Sequence, residues 1–439
     1  MRVWLKDDVL RRVLRNTGKM GAGKVAGAVL HLASIAVTAR ILDLTDFGLL
    51  MLFRSVAQSV AAIAKFQSWQ ALVHFGAEPY ERDDLGSVRR LWLKLAAIDF
   101  VVGLAAMALG GAFVLSFASI VSIPADVAHL AAAYCLIVPL QVAGTPTGIL
   151  RLTDRFDLMA WQSLVTPGVR LIGVCIAYLM GAPLWAVVIA WVLSDILGDA
   201  FLWVCALAVA KSKDLLRSKA GSIRSAISGS VLWRYLLGTN FNASLQQGAL
   251  PLMTLVIGGV LGPSAAGAYR LAQTLLDAVL APAELAMRSL FPEISKLQAA
   301  KGERLKEVMR HVGLTSLLVS VPAGAILFLG AGIFVSILDG EEYLGAGSLL
   351  SVIAWTLPAL FLAAICETFM LGSGRALSPV LARATIVGLS VTAILTLGDQ
   401  MSLGDLGLAL LIASYAGLLV LAVPTLAMLR RKQEPVSSD

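Results

Sequence analysis

Charge is scarce in this chain. Only 14% of its 439 residues are Asp, Glu, Lys or Arg, 58% are hydrophobic, and the mean hydropathy is +0.83. Soluble domains carry roughly a quarter charged residues, so a water-soluble globule is excluded. Histidine is rarer still, with four in the whole chain, and no HExxH or GxSxG is present. The "GAGK" at 21–24 lacks the spacing and the following Ser/Thr of a phosphate-binding loop. Four cysteines, Cys135, Cys175, Cys205 and Cys366, all lie in apolar runs without a CxxC pair, the pattern of small buried side chains rather than of disulfides or metal ligands. No metal or cofactor is expected. The amino terminus has no short apolar core before a small-residue cleavage site, so it is not a removable signal. Period-two alternation is also missing, which argues against a membrane barrel and for helices.

What the chain has is long apolar runs. They fall near 21–41, 48–75, 92–118, 127–150, 157–180 and 183–210, then near 235–260, 265–290, 309–336, 346–372, 378–398 and 404–428. Each approaches the ~20 residues a helix needs to cross a bilayer. The fold expected is an all-α integral membrane protein with about twelve crossings. Lys and Arg gather in alternate connecting segments, whereas the other set holds acids such as Asp43, Asp126, Glu341 and Asp405. The net charge of +7 therefore marks orientation and not nucleic-acid binding. By the positive-inside rule both termini are expected in the cytoplasm. The expected organisation is an amphipathic arm at 1–20 on the membrane surface, six helices in 21–210, a basic linker at 211–234, six helices in 235–428 and a tail at 429–439.

The two halves resemble each other. "ARILDLTDFGLLMLFRS" and "GGVLGPSAAGAYRLAQT" each place a turn, a Gly and an Arg a few residues into the next helix. "GILRLTDRFDLMA" and "MLGSGRALSPVLA" each end a fourth span with an Arg at a short turn. Six spans per half makes the repeats parallel.

Polar side chains inside the spans concentrate in the first two helices of each half. Lys24, His31 and Thr38 follow at heptad spacing, with Arg40 at the outer end; Arg54, Gln58 and Lys65 share a face of the second span. Asn240, Ser244 and Gln247 lie on the seventh span, and Arg270, Gln273, Asp277 and Glu284 share a face of the eighth. Charge in hydrocarbon is expensive and turns toward protein or a watery cavity, so these residues are the candidates for substrate contact. The alternatives are snorkelling for Lys24 and Arg40, and ion pairs or interhelical hydrogen bonds for the rest. Asp195 and Asp199 share a helix face and can pair with Arg170, an arrangement read as structural. Arg and Lys outnumber acids on the candidate face, which favours an anionic substrate, because guanidinium forks bind phosphate bidentately. Without an ATP site, transport must draw on a gradient, with Asp277 and Glu284 as candidate H+ or Na+ sites.

At "TARILDLTDFGLL", "GTNFN", "LVIGGVLGPSAAGAYRLAQTLLDA", "LFPEISKL" and "ILRLTDRFDLMA", the chain resembles the polysaccharide transporter family of the multidrug/oligosaccharidyl-lipid/polysaccharide exporter superfamily, which includes O-antigen flippases. The resemblance spans nearly the whole chain in layout. It implies two six-helix lobes forming a V around a central cavity. It further implies flipping of polyprenyl-pyrophosphate-linked oligosaccharide (O-antigen, exopolysaccharide or capsule units) from the cytoplasmic to the periplasmic leaflet by alternating access. Basic residues of the first, second and eighth helices would contact the pyrophosphate, and Arg54 and Arg270 are the positions that fit. Asp43-Leu44 stands where many members have Gly-Pro, and the two extra helices of lipid-linked peptidoglycan precursor flippases are absent. The partners expected are the lipid-linked anionic oligosaccharide, H+ or Na+, membrane lipids, and a polysaccharide polymerase and chain-length regulator. The alternatives are a cation-coupled drug antiporter, a membrane-embedded glycan polymerase or ligase, which usually needs a sizeable extracytoplasmic loop, and a non-transporting scaffold.

Overall fold

In the computed structural model, residues 8–217, 229–280, 304–336, 344–375 and 377–431 are described. Among the described residues every regular element is a helix, and eleven stretches are long and apolar enough to cross a membrane. A further helix, 263–280 (α11), stands where the eighth crossing is expected. The protein is an all-α, multi-pass membrane protein.

The chain contacts define two compact units, Met1–Leu42 with Leu50–Leu252, and Asp43–Leu49 with Met253–Asp439. Unit 1 is built from α1 (Asp8–Ile41), α2 (Leu44–Ala64), α3 (Ser68–Glu81), α4 (Leu85–Phe117), α5 (Ala128–Tyr134), α6 (Val138–Val142), α7 (Thr145–Leu152), α8 (Phe156–Leu179), α9 (Leu184–Ser212) and most of α10 (Gly229–Leu261). Unit 2 holds the start of α2, the end of α10, α11, and then α12 (Arg304–Ser336), α13 (Leu344–Ile353), α14 (Leu357–Gly372), α15 (Leu377–Leu397) and α16 (Leu403–Arg431). From Asp8 onward the chain runs into the first crossing as one helix, not as the separate short surface helix expected at 1–20.

Part of α4 reverses the pattern of a soluble protein: from Asp99 to Gly110 the side chains turned inward are Asp99, Gly103, Ala106 and Gly110, whereas Phe100, Val101, Leu104 and Leu109 point outward. In lipid, large apolar groups gain nothing by burial, and small residues let helices approach. The α1–α8 contact shows the same logic. Gly23 and Gly27, four apart on α1, lie against the backbones of Ala160 and Ser163, and a Cβ at Gly27 would overlap the Ser163 carbonyl oxygen.

Three crossings expected as single helices are broken. The second bends at Lys65–Gln67 between α2 and α3. Buried Asp99 secures that break, accepting hydrogen bonds from Ser68 Oγ (2.6 Å), Gly144 N (3.0 Å) and Thr145 N (3.2 Å). The fourth crossing passes through a 3-10 turn at Cys135–Ile137 into α6, which has Pro139 at its start. Its counterpart in unit 2 does the same at Ala354–Thr356 and Pro358. Proline lacks the N–H that would continue the α ladder and its ring crowds the preceding turn, so a tighter turn absorbs it.

Candidate functional site

The charged residues that the sequence scatters over α1, α2, α8 and α9 come together inside unit 1. Arg170 of α8 is 2% exposed, and its Nη2 donates to Asp195 Oδ1 at 2.5 Å. Its Nε donates to Ser194 Oγ (3.1 Å), and its Nη1 lies 3.3 Å from His31 Nδ1. Asp195 also accepts from Tyr134 of α5 (3.0 Å). Arg54 approaches the same carboxylate, with Nε 3.8 Å from Oδ2. The Trp191 ring lies under both guanidiniums, at 4.2 Å from Arg170 and 5.2 Å from Arg54, and its Nε1 donates to Thr38 Oγ1. Trp191, Ser194 and Asp195 sit at i, i+3 and i+4 on α9, which is why one helix face supplies all three.

The arrangement is cationic. Two guanidiniums share one carboxylate, and that carboxylate is committed to Arg170 and Tyr134. Arg54 is second in line: its Nε makes no hydrogen bond, and its side chain is 14% exposed. Arg54 is ten residues into α2, about 15 Å along the axis, about half the ~30 Å hydrocarbon thickness. A guanidinium at that depth, with its own carboxylate already engaged, is electrostatically suited to a second anion.

The other expected residues are distributed as follows. Lys65 stands at the α2–α3 break within range of the charges of Asp199 and Asp99, and Gln58 is half-buried on α2. Lys24 is half-buried on α1, whereas Arg40 is exposed near the end of that helix. Asn240 donates to the Ile63 carbonyl (3.2 Å) and accepts from Ser244, so it ties α10 to the end of α2; Gln247 is exposed. In unit 2, Arg270 is 8% exposed on α11. Gln273 donates to Asp277 at 3.1 Å, and Asp277 is exposed. Glu284 lies outside the described residues. Arg54, for which an ion pair with a neighbouring helix is the alternative to substrate contact, joins the Asp195 network. The Arg170–Asp195 pair, read from sequence as structural, forms the centre of the cluster. Tyr134 gave no sequence signal.

Known proteins place this fold. Residues 13–298 match the family model described as polysaccharide biosynthesis protein. A relative, the inner membrane protein YghQ of Escherichia coli (strain K12), is 30% identical over 349 residues, covering 79% of this chain and 98% of that protein. The chain belongs to the polysaccharide biosynthesis protein family. Residues 241–397 also match the MatE model. Among solved structures, an inward-facing multidrug resistance MATE family transporter of the MOP superfamily aligns with a TM-score of 0.70 at 13% identity, covering 96% of each chain. A MOP superfamily transporter from Pyrococcus furiosus, described as having a binding pocket of reverse polarity, aligns with a TM-score of 0.63 at 13% identity over 98% of each chain. This member of the polysaccharide biosynthesis family thus has the MOP exporter fold, and it is a membrane transporter of that superfamily rather than an enzyme.

Proposed function

We propose that this transporter flips a polyprenyl-pyrophosphate-linked oligosaccharide from the cytoplasmic to the periplasmic leaflet of the inner membrane. The family match supports the polysaccharide cargo, and the name of the 30% identical relative supports the inner membrane. The observation that carries the reading is local to the cluster: two guanidiniums, Arg54 and Arg170, stand at one carboxylate, Asp195, whose hydrogen bonds go to Arg170 and Tyr134. A diphosphate crossing hydrocarbon unpaired would cost many kcal/mol, and partly desolvated guanidiniums offset that cost. Arg54 and Arg270 are the residues proposed to receive the diphosphate, and Asp277 the acid proposed to couple transport to H+ or Na+. A polymerase and a chain-length regulator are the proposed downstream partners.

The test is flipping of a fluorescent polyprenyl-pyrophosphate oligosaccharide in proteoliposomes, read by chemical quenching of the outer leaflet. Arg54→Ala and Arg270→Ala should each slow flipping at least tenfold, about 1.4 kcal/mol, with the melting temperature kept within a few degrees. Wild-type rates in both variants defeat the assignment. The MatE match over 241–397 favours a second reading, cation-coupled drug export. Ethidium efflux driven by a proton or sodium gradient, with no movement of the glycolipid, would establish it instead.

A further inference from the structure

We propose that a groove in unit 2 holds one anionic glycerophospholipid of the bilayer, with a hydrocarbon chain in the groove and the phosphate between Lys306 and Arg310. This site is separate from the unit 1 cluster and does not depend on the identity of the cargo. The groove is a cavity of about 550 Å³ walled by α12, α14 and α16, with Met309, Leu362, Ile365, Leu418 and Leu426 among its apolar lining. That volume lies within the ~300–1,000 Å³ usual for small-molecule sites. The Thr425 hydroxyl in the wall already donates to the Leu421 carbonyl at 2.7 Å. Water would find few partners inside, so the occupant of the depth must be hydrocarbon.

The charged end is as specific as the apolar one. Lys306, Arg310 and Gly313 recur at i, i+4 and i+7, on one face of α12, and all three line the groove. Neither cation makes an ion pair or hydrogen bond with another described residue. Glu307 on α12 is one residue from Lys306 and three from Arg310, but it does not line the groove and makes no ion pair with either cation among the described residues. The two cations stand at one end of the crossing Lys306–Ile333, the depth at which phosphate headgroups lie, and in the set of segments richest in Lys and Arg. Two cations with no acid partner among the described residues, at the mouth of an apolar slot, complement a net-negative phosphodiester better than a zwitterion. Gly313 leaves the floor open: a Cβ built there meets nothing within 4 Å.

Gly313 also supplies the test. Gly313→Leu starts from a position where an added Cβ meets nothing within 4 Å, adds bulk at the floor of the groove and replaces a poor helix former with a good one, so the fold should survive. The protein is purified, exchanged into phosphatidylglycerol, phosphatidylcholine or polyprenyl phosphate, and weighed by native mass spectrometry. Wild type should retain one phosphatidylglycerol at least tenfold more often than phosphatidylcholine. Gly313→Leu should lower that retention about tenfold at an unchanged melting temperature. Lys306→Gln with Arg310→Gln should retain the two phospholipids equally. Equal retention by wild type, undiminished retention by Gly313→Leu, or preference for polyprenyl phosphate over phosphatidylglycerol would each overturn the proposal.

Discussion

Removing the Asp195 carboxylate separates the two arginines by what each needs it for. Asp195→Leu leaves Arg170, at 2% exposure, as an uncompensated buried cation, and deprives Tyr134 of its acceptor. Breaking a buried pair by removing one partner costs about 3–5 kcal/mol. At about 2–4 °C per kcal/mol for units of this size, the melting midpoint in detergent should fall by on the order of 10 °C. Arg170→Met, which strands the carboxylate, should cost a similar amount. The double variant Arg170→Met/Asp195→Leu should recover most of the loss, because a buried ion pair exchanged for apolar groups of similar size is roughly neutral.

Arg54→Gln is the informative contrast. Asp195 keeps its 2.5 Å bond to Arg170 and its 3.0 Å bond from Tyr134. What is lost is a 3.8 Å contact without a hydrogen bond at Nε, and the distant 5.2 Å approach to the Trp191 ring. The cost should therefore stay below ~1 kcal/mol, while flipping falls at least tenfold. The assays are a melting curve and the proteoliposome flipping rate on the same four variants. If Arg54→Gln destabilises as much as Arg170→Met, or if it flips at the wild-type rate, the division into a bracing arginine and a substrate-receiving arginine is wrong.

Gly27→Leu should prevent the α1–α8 approach, since an added Cβ meets the Ser163 carbonyl oxygen, and should abolish stable expression. Gly168→Ala, where nothing lies within 4 Å, should be neutral or stabilising, and fluorescence-detected size exclusion separates the two. Asp99→Ala leaves Gly144 N and Thr145 N without their acceptor, at about 1–3 kcal/mol each; Asp99→Asn, which keeps one acceptor oxygen, should lose less in the same melt. Asp84 caps α4 through Ser87. The Ser87 hydroxyl, and then its backbone N–H, hold the Asp84 carboxyl below the usual carboxylate range. A depressed carboxyl adds stability above its unfolded pKa and loses it as pH falls through the folded value. Asp84→Ala should therefore cost about 1 kcal/mol at neutral pH, and the difference from wild type should vanish in strong acid.

Much of the fold was legible because bilayer thickness sets run length, and apolar runs announce themselves. The breaks were less legible. A crossing that bends at Lys65–Gln67 remains apolar on both sides of the bend, and only the hydrogen bonds to Asp99 show why it holds. For the site, helical spacing correctly placed His31 and Thr38 on one face, since both reach the α8–α9 cluster. It offered Arg170 as a partner for Asp195 but could not say that Arg54 reaches the same carboxylate. α2, far off in sequence, must pack against the consecutive pair α8 and α9 before one carboxylate serves two guanidiniums, and periodicity describes only one helix at a time. Asn240 illustrates the opposite failure. A polar residue in a crossing reads as lining, yet its amide is spent on the Ile63 carbonyl.

The similarity between the halves, loose in sequence, becomes specific at the backbone. In unit 1 the fourth crossing ends with Thr153 N bonded to Ile149 O, Asp154 N to Arg151 O and Arg155 N to Leu150 O. In unit 2 the same three bonds recur as Ser373 N to Phe369 O, Gly374 N to Leu371 O and Arg375 N to Met370 O. This is a Schellman ending, whose turn residue must be left-handed, and it is Asp154 at φ 59° in one unit and Gly374 at φ 75° in the other. A left-handed Asp is uncommon, though Asp tolerates that region better than most residues, so the geometry outlasts the glycine that best suits it. The prolines that break the same two crossings, Pro139 and Pro358, are separated by nearly the same stretch of chain as Arg155 and Arg375. The same Schellman ending also closes α3, α8 and α9, so what the two crossings share is the register of a proline-bent entry with an exit followed by arginine. Among the described residues of unit 2, Arg383 pairs with Glu367, a two-residue arrangement unlike the Asp195 cluster of unit 1.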